Sequence, residues 1–202
     1  MEEWRDRAEV AIIGGGIMGA STAYHLAQRG CTDVVILEKD LLAQASTGLS
    51  AGGIRQQFSH PANIRLSQEA VRVFERFQEL FGVDVEFRQV GYLFLAQSAE
   101  VWAEFLANVQ IQRQHNVPVE ALSPDEIKYR WPYLNVEDLQ GGTFCGEDGY
   151  ADPYMAAMGM ANMARRLGVR IEENTQVTAI QIQGGRVQGV KTTRGPVWAP
   201  VV

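Results

Sequence analysis

Two glycine clusters and one acid carry most of the chemistry readable in this chain. Gly14, Gly16 and Gly19 form a G-x-G-x-x-G triplet, and Glu38 closes an apolar run about twenty residues further on. At this spacing Gly14 permits a tight turn, Gly16 lets the backbone approach a pyrophosphate, and Gly19 lets the next helix pack closely on its strand. The anion rests on free N–H groups at the positive end of the helix dipole. The acid accepts hydrogen bonds from ribose hydroxyls and repels a 2′-phosphate, so the chemistry is dinucleotide binding and NADP is disfavoured. The second cluster, Ser46-Thr47-Gly48-Leu49-Ser50-Ala51-Gly52-Gly53-Ile54-Arg55, follows Glu38 closely. An NAD domain would ordinarily enter a third β-α unit there. A hydroxyl- and glycine-rich loop suits instead an extended cofactor whose second half is bound by a further segment, which makes FAD the expected dinucleotide.

Other constellations are weaker. Gly48-Leu49-Ser50-Ala51-Gly52 also fits the G-x-S-x-G nucleophile elbow of hydrolases. An elbow needs an apolar strand before it, a helix after it, and Asp then His later in the chain. The residues before Ser50 are polar and only His60 and His115 follow, so hydrolysis is disfavoured. His25, His60 and His115 show no ligand spacing with one another or with Cys31 and Cys145, and no metal site is expected. The cysteines lie outside any CxxC pattern, which gives no disulfide framework and points to a reducing compartment. His60 reads as a surface loop residue, and Trp102, Trp131 and Tyr133 read as core.

The elements that must position these residues follow from periodicity. Residues 10–13, the glycine turn, the Ala- and Leu-rich stretch 20–29 ending at Gly30, and the apolar run 33–38 read as a buried parallel β-α-β unit. Apolar residues at three- and four-residue steps predict an amphipathic helix over 63–81. Residues 83–88 and 92–95 read as strands around Gly91, and 99–115 as a helix. Ser123-Pro124-Asp125-Glu126 is a capping-box helix start, and Asp152-Pro153 opens a helix that runs to Arg166 and stops at Gly168. Strands follow at 169–171, 177–182 and 187–191, the last two joined as a hairpin through Gly184-Gly185, with a final strand at 196–202.

The 202 residues are 46% hydrophobic and 21% charged with a net charge of −6. That composition allows one large domain or two small ones and offers no basic patch for nucleic acid. The N-terminus is charged and lacks an apolar signal-peptide core, and no apolar run is long enough to span a bilayer. A cytoplasmic location is the expectation.

The segments Ile12-Ile13-Gly14-Gly15-Gly16-Ile17-Met18-Gly19, Ala20-Ser21-Thr22-Ala23-Tyr24-His25-Leu26 and Glu38-Lys39, taken with the second glycine loop, resemble the FAD-dependent oxidoreductases of the D-amino-acid oxidase superfamily. Sarcosine oxidase, glycine oxidase and dimethylglycine dehydrogenase are the members it looks most like. The resemblance implies an α/β fold: a Rossmann-like FAD-binding domain of the GR2 type with part of an inserted mixed α+β substrate domain. The expected segments are 1–84 and 146–202 for the FAD domain and 85–145 for the insertion, with the chain truncated at 202. It further implies that Gly14, Gly16, Ile17, Met18 and Gly19 form the phosphate loop and that Glu38 and Lys39 sit at the ribose. Ser46 and Thr47 fall beside the pyrophosphate, and Ala51, Gly52, Gly53 and Ile54 pass under the isoalloxazine. Arg55 supplies positive charge near the flavin ring, the one catalytic assignment, and Val177 gives backbone contacts to the adenine.

Two positions depart from family patterns. Monomeric sarcosine oxidases carry a carboxylate-binding arginine where this chain has Phe58, which counts against an N-methyl amino acid substrate. Dimethylglycine dehydrogenases carry a flavin-linking histidine where this chain has Ser50, so a non-covalent flavin is expected. The implied activity is oxidation of the C–N bond of a secondary amine or amino acid. A 2-hydroxy-acid oxidoreductase of the same superfamily and a non-catalytic flavin-binding subunit are the alternatives. The implied partners are a small-molecule amine or amino-acid substrate, with self-association or a partner subunit. As a fragment, the chain alone is expected to bind little FAD, to lack turnover, and to use 63–81 and its last strand in contacts between copies.

Overall fold

The computed structural model describes residues 6–202, so the first five residues of the charged N-terminal stretch lie outside the described part. In chain order the elements are β1 (Val10–Ile13), α1 (Ile17–Gln28), β2 (Val34–Leu37), β3 (Gly53–Ile54), α2 (Pro61–Glu75), α3 (Phe77–Phe81), β4 (Tyr92–Ala96), α4 (Ala99–Gln114) and β5 (Val119–Leu122). They continue with α5 (Pro124–Arg130), β6 (Gly141–Cys145), β7 (Gly149–Tyr150), α6 (Pro153–Arg166), β8 (Arg170–Glu172), β9 (Val177–Gln183), β10 (Arg186–Thr192) and β11 (Gly195–Trp198). The chain forms two compact units, one of Met1–Ala51, Phe81–Val85 and Asp152–Val202, the other of Gly52–Leu80 and Glu86–Ala151.

The first unit is built on the parallel sheet β1-β2-β8. All four residues of β2, Val-Val-Ile-Leu, are buried, as a strand covered on both faces requires. Helices α1 and α6 pack together through small residues, Ala20, Ala23 and Ala27 on one and Ala156, Ala157, Ala161 and Ala164 on the other. The antiparallel sheet β11-β10-β9 shares a core with the parallel one through Ala8, Ala11, Val35, Leu37, Val190, Val197 and Ala199. Its hairpin turns at Gly184 and Gly185, whose φ values of 58° and 74° are those of a type I′ turn.

The second unit holds the antiparallel sheet β4-β6-β5 and the small ladder β3-β7. Ile64 of α2 and Val109 of α4 share a buried cluster with Val117, Val119 and Cys145, while Leu122, Ile127 and Leu139 form another. The capping box at Ser123 and Glu126 forms as the sequence demands.

Four readings from the sequence differ from the structure. The helix expected over 63–81 begins at Pro61 and breaks at Arg76 into α2 and α3. His60 is the reason for the early start: its Nδ1 accepts the Ala62 N–H at 3.2 Å, so this loop histidine is an N-cap. The strand expected over 83–88 is absent, because Glu86 takes a left-handed φ of 51° and only Arg88 bridges, to Tyr150. Strands β5 and β6 went unread. Gly141-Gly142 looks like a turn, yet a Cβ at Gly141 would stand 2.8 Å from the Trp102 ring and one at Gly142 2.6 Å from the Phe94 carbonyl, so glycine here admits close packing in a central strand. The final strand stops at Trp198, with Val201 making a lone bridge to Val10.

The compact units also divide elsewhere than at 84/85 and 145/146. Residues 52–80 fall with the insertion because α2 packs beside α4, and 146–151 do so because β7 pairs with β3. Among the described residues no helix is long and apolar enough to cross a membrane.

Candidate dinucleotide site and the Arg55 loop

Within the first unit the glycine triplet joins β1 to α1. Gly14 has φ 103° and its N–H donates to the Leu37 carbonyl at 2.9 Å, which carries the parallel pairing one residue past β1. A Cβ on Gly19 would lie 2.0 Å from the Gly14 carbonyl oxygen, so the first turn of α1 rests directly on the turn that leaves the strand. Gly16 is the N-cap of α1 and has no side chain to satisfy the helix end. Its place is taken from thirty residues away: Thr47 Oγ1 accepts the Ile17 N–H at 3.0 Å. A Cβ on Gly16 would approach that hydroxyl to 2.9 Å. Met18, the next residue of the turn, is 78% exposed.

Glu38 is turned toward the same loop. Its Oε2 accepts the Gly15 N–H at 2.7 Å and its Oε1 accepts the Asp40 N–H at 3.0 Å. Two backbone amides thus hold the carboxylate beside the glycine turn, at the C-terminal end of β2 where ligands of open α/β sheets bind. Lys39 makes an exposed ion pair with Asp40 at 3.7 Å, an arrangement of little energetic weight. The loop after β2 is pinned as well: Ala43 N–H donates to the Gly15 carbonyl at 3.0 Å, and Leu42 N–H to Glu173 Oε1 at 2.7 Å. Ser46 is exposed on this loop, and Ser50 Oγ donates to the Thr47 carbonyl at 2.8 Å. Turns, not a strand, precede Ser50, so the nucleophile-elbow geometry is missing. The structure therefore gathers Gly14, Gly16, Ile17, Gly19, Glu38 and Thr47 about one helix end. Val177 opens β9 and packs on the core cluster that includes Ala11 and Leu37.

In the second unit, Gly53 and Ile54 pair with Tyr150 and Gly149 in the β3-β7 ladder, and Arg55 follows directly. The Arg55 guanidinium lies 5.1 Å from the Phe58 ring centroid and 5.3 Å from that of Phe94, a cation held between aromatic faces. It lines a cavity of about 160 Å³ with Gln57, Phe94, Phe105, Asn108, Gln112 and Thr143. Two amide oxygens here, Gln57 Oε1 and Gln112 Oε1, are buried without a hydrogen-bond partner, and Gln112 is 4% exposed. Buried acceptors left unpaired cost stability and mark a polar pocket. Beneath the loop sits Asp148, which is 0% exposed. Burial pushes its carboxyl up from the ordinary value, and hydrogen bonds from Gln57 and Gln56 oppose that shift. The Cys145 thiol beside it is pushed up to about 12, first by burial and then by the Asp148 charge. Sequence reasoning missed Gln57, Gln112 and Asp148. The one available signal was the acid pair Glu147-Asp148 enclosed between Gly146 and Gly149, next to a strand.

A parallel sheet with a glycine turn, a helix N-terminus opening on that turn and an acid at the neighbouring strand tip defines a dinucleotide-binding α/β protein. Residues 9–202 match the family model described as FAD dependent oxidoreductase, and the chain belongs to that family. The mitochondrial dimethylglycine dehydrogenase of Rattus norvegicus is 35% identical over 198 residues, 98% of this chain and 23% of that protein. The mitochondrial pyruvate dehydrogenase phosphatase regulatory subunit of Mus musculus is 31% identical, covering 95% of this chain and 22% of that protein. Among solved structures, L-proline dehydrogenase from P. horikoshii superposes with a TM-score of 0.88 at 34% identity, over 98% of this chain and 52% of that one. The chain thus spans about a quarter of these curated relatives and about half of the solved one. The resemblance read from the glycine loops and the FAD cofactor it implied are those of the family.

Proposed function

We propose that this chain forms the cofactor-binding part, and part of the substrate unit, of an FAD-dependent oxidoreductase acting on the C–N bond of a secondary amine or amino acid. The observation that carries the cofactor half is the convergence of Gly16, Gly19, Thr47 and Glu38 on the N-terminus of α1. Bound FAD supplies the acceptor for the hydride that leaves the carbon beside an uncharged amine, giving an imine that water hydrolyses. The chain's residues bind and orient. The N–H groups at the start of α1 hold the pyrophosphate, and Glu38 accepts the ribose hydroxyls, as its position beside Gly15 supports. Ser46, Thr47 and the segment 51–54 line the cofactor, and Val177 meets the adenine. Arg55 contributes positive charge near the flavin ring. The names of the relatives, a dimethylglycine dehydrogenase and an L-proline dehydrogenase, support an amine or amino acid as substrate.

The test is anaerobic bleaching of the flavin in the intact protein across secondary amines, amino acids and 2-hydroxy acids. Bleaching by an amine supports the reading, and bleaching by hydroxy acids alone replaces it. A second reading, a flavin-binding subunit without turnover, is favoured by the relative named as a regulatory subunit. It requires bound FAD and no bleaching with any member of the panel.

A further inference from the structure

We infer that Asp148 is the positioning residue that sets the Arg55–Gln57 segment, and through it the place of the Arg55 charge; the functional consequence rests on Arg55 lying near the flavin ring, as proposed above. The β3-β7 ladder ends at the pair Ile54 and Gly149, and Asp148 then continues it with its side chain. Its Oδ1 accepts the Gln56 N–H at 2.8 Å, and its Oδ2 accepts Gln57 Nε2 at 3.1 Å. Gln56 Nε2 stands 3.5 Å from Oδ1, and the Cys145 thiol adds a further donor. Every one of these contacts is a donor directed at the carboxylate, so together they oppose the upward push that complete burial gives the carboxyl, without overcoming it. Gln57 Nε2 also donates to the Tyr92 carbonyl at 2.9 Å. With the amide nitrogen fixed by Asp148 and Tyr92, Gln57 Oε1 is left as one of the two unpaired oxygens of the cavity that Arg55 lines. One acid therefore fixes a backbone amide on one side of Arg55's neighbour and a side-chain amide on the other. Gln56 itself is 2% exposed, so water has little access to replace the bonds that Gln56 makes, although Arg55 beside it is exposed.

An asparagine at 148 would be nearly the same shape but would set its Nδ2 against Gln57 Nε2, two donors face to face. The probe is sulfite, whose addition to flavin N5 leaves a negative charge on the ring and so reports nearby positive charge. In the intact FAD-loaded protein, Arg55→Met is expected to weaken sulfite binding about tenfold through loss of a nearby charge. Asp148→Asn is expected to weaken it about threefold to tenfold, and by less than about twofold once Arg55→Met is present, because both act through the same charge. Amide exchange at Gln56, which needs no flavin, should rise about tenfold in Asp148→Ala while β1 is unchanged. Equal effects of Asp148→Asn with and without Arg55, or unaltered Gln56 exchange, would overturn the inference. If the Asp148 variants do not fold, Gln57→Met removes one of its partners and should weaken sulfite binding at least about twofold, again only when Arg55 is present; no change would overturn it too. If Arg55→Met leaves sulfite binding intact while Gln56 exchange responds to Asp148, the placement of Arg55 at the flavin falls and the positioning of residues 55–57 stands.

Discussion

Gly19→Ala sets two well-measured effects against each other at one atom. Inside a helix, alanine is favoured over glycine by about 1 kcal/mol. At this position the new Cβ would lie 2.0 Å from the Gly14 carbonyl oxygen and 3.4 Å from Ile12 Cγ2. A relaxed contact needs roughly 1 Å more, and the obstacle is backbone in a turn whose N–H is already bonded to Leu37, so the helix must lift. Overpacking of this kind costs about 1–3 kcal/mol, which outweighs the propensity gain and leaves a net loss of up to about 2 kcal/mol. The larger effect falls on the cofactor. With the pyrophosphate held there as proposed, moving the first turn of α1 by roughly 1 Å would forfeit one charge-assisted hydrogen bond to it, about 1.5–3 kcal/mol, or about ten- to a hundredfold in FAD affinity. Flavin fluorescence titration and a urea midpoint measure the two terms separately. A Gly19→Ala protein that binds FAD within twofold of the parent would refute the reasoning.

Other expectations follow from single contacts. Thr47→Val removes the acceptor for Ile17 N–H and should lower stability without FAD by about 0.5–2 kcal/mol in chemical denaturation. Asp152→Ala should cost a similar amount, about 0.5–2 kcal/mol, by uncapping α6, where Asp152 Oδ1 accepts Met155 N–H at 2.9 Å. Because burial raises the Asp148 carboxyl, its contribution to stability is largest below the ordinary carboxylate value of about 3.9 and is lost as pH rises through the raised folded value. Asp148→Asn should therefore gain on the parent protein across that window in pH-dependent unfolding, and parallel curves would refute it. Ser50 has no nucleophilic ring nitrogen, so no flavin should be linked at that position; acid precipitation should release the flavin unless a link lies outside these residues, and a flavin-bearing peptide that contains Ser50 contradicts this.

The first unit was legible because its residues work locally. Gly14, Gly16 and Gly19 sit next to one another on the turn they build, and the fourfold apolar run of β2 allows few other structures. The resemblance put Thr47 beside the pyrophosphate, but that its hydroxyl caps α1 depends on a contact thirty residues long, which no local pattern encodes. The second unit was harder. β6 begins with Gly141-Gly142, and glycine reads as a turn unless one knows that Trp102 and the Phe94 carbonyl press on it. Glu86 reads as a strand residue, and its left-handed φ belongs to tertiary context. Asp148 stands in a Gly-rich loop where an acid is ordinarily solvated, and only the fold buries it under residues 55–57.

The threonine cap on α1 has a consequence for selectivity. An open helix end attracts any small anion, inorganic phosphate included. Here one of its amides already has an acceptor, and the Gly15 amide is held by Glu38. A lone phosphate that displaces either group must forfeit a hydrogen bond in order to make one, a near-neutral exchange. With the cofactor held as proposed, a dinucleotide would bring a ribose for the Glu38 carboxylate and a second phosphate for the Thr47 hydroxyl, so the displaced groups would find new partners on the same molecule. Occupancy is then biased toward the ligand that satisfies both, and away from the far more abundant ions that satisfy neither.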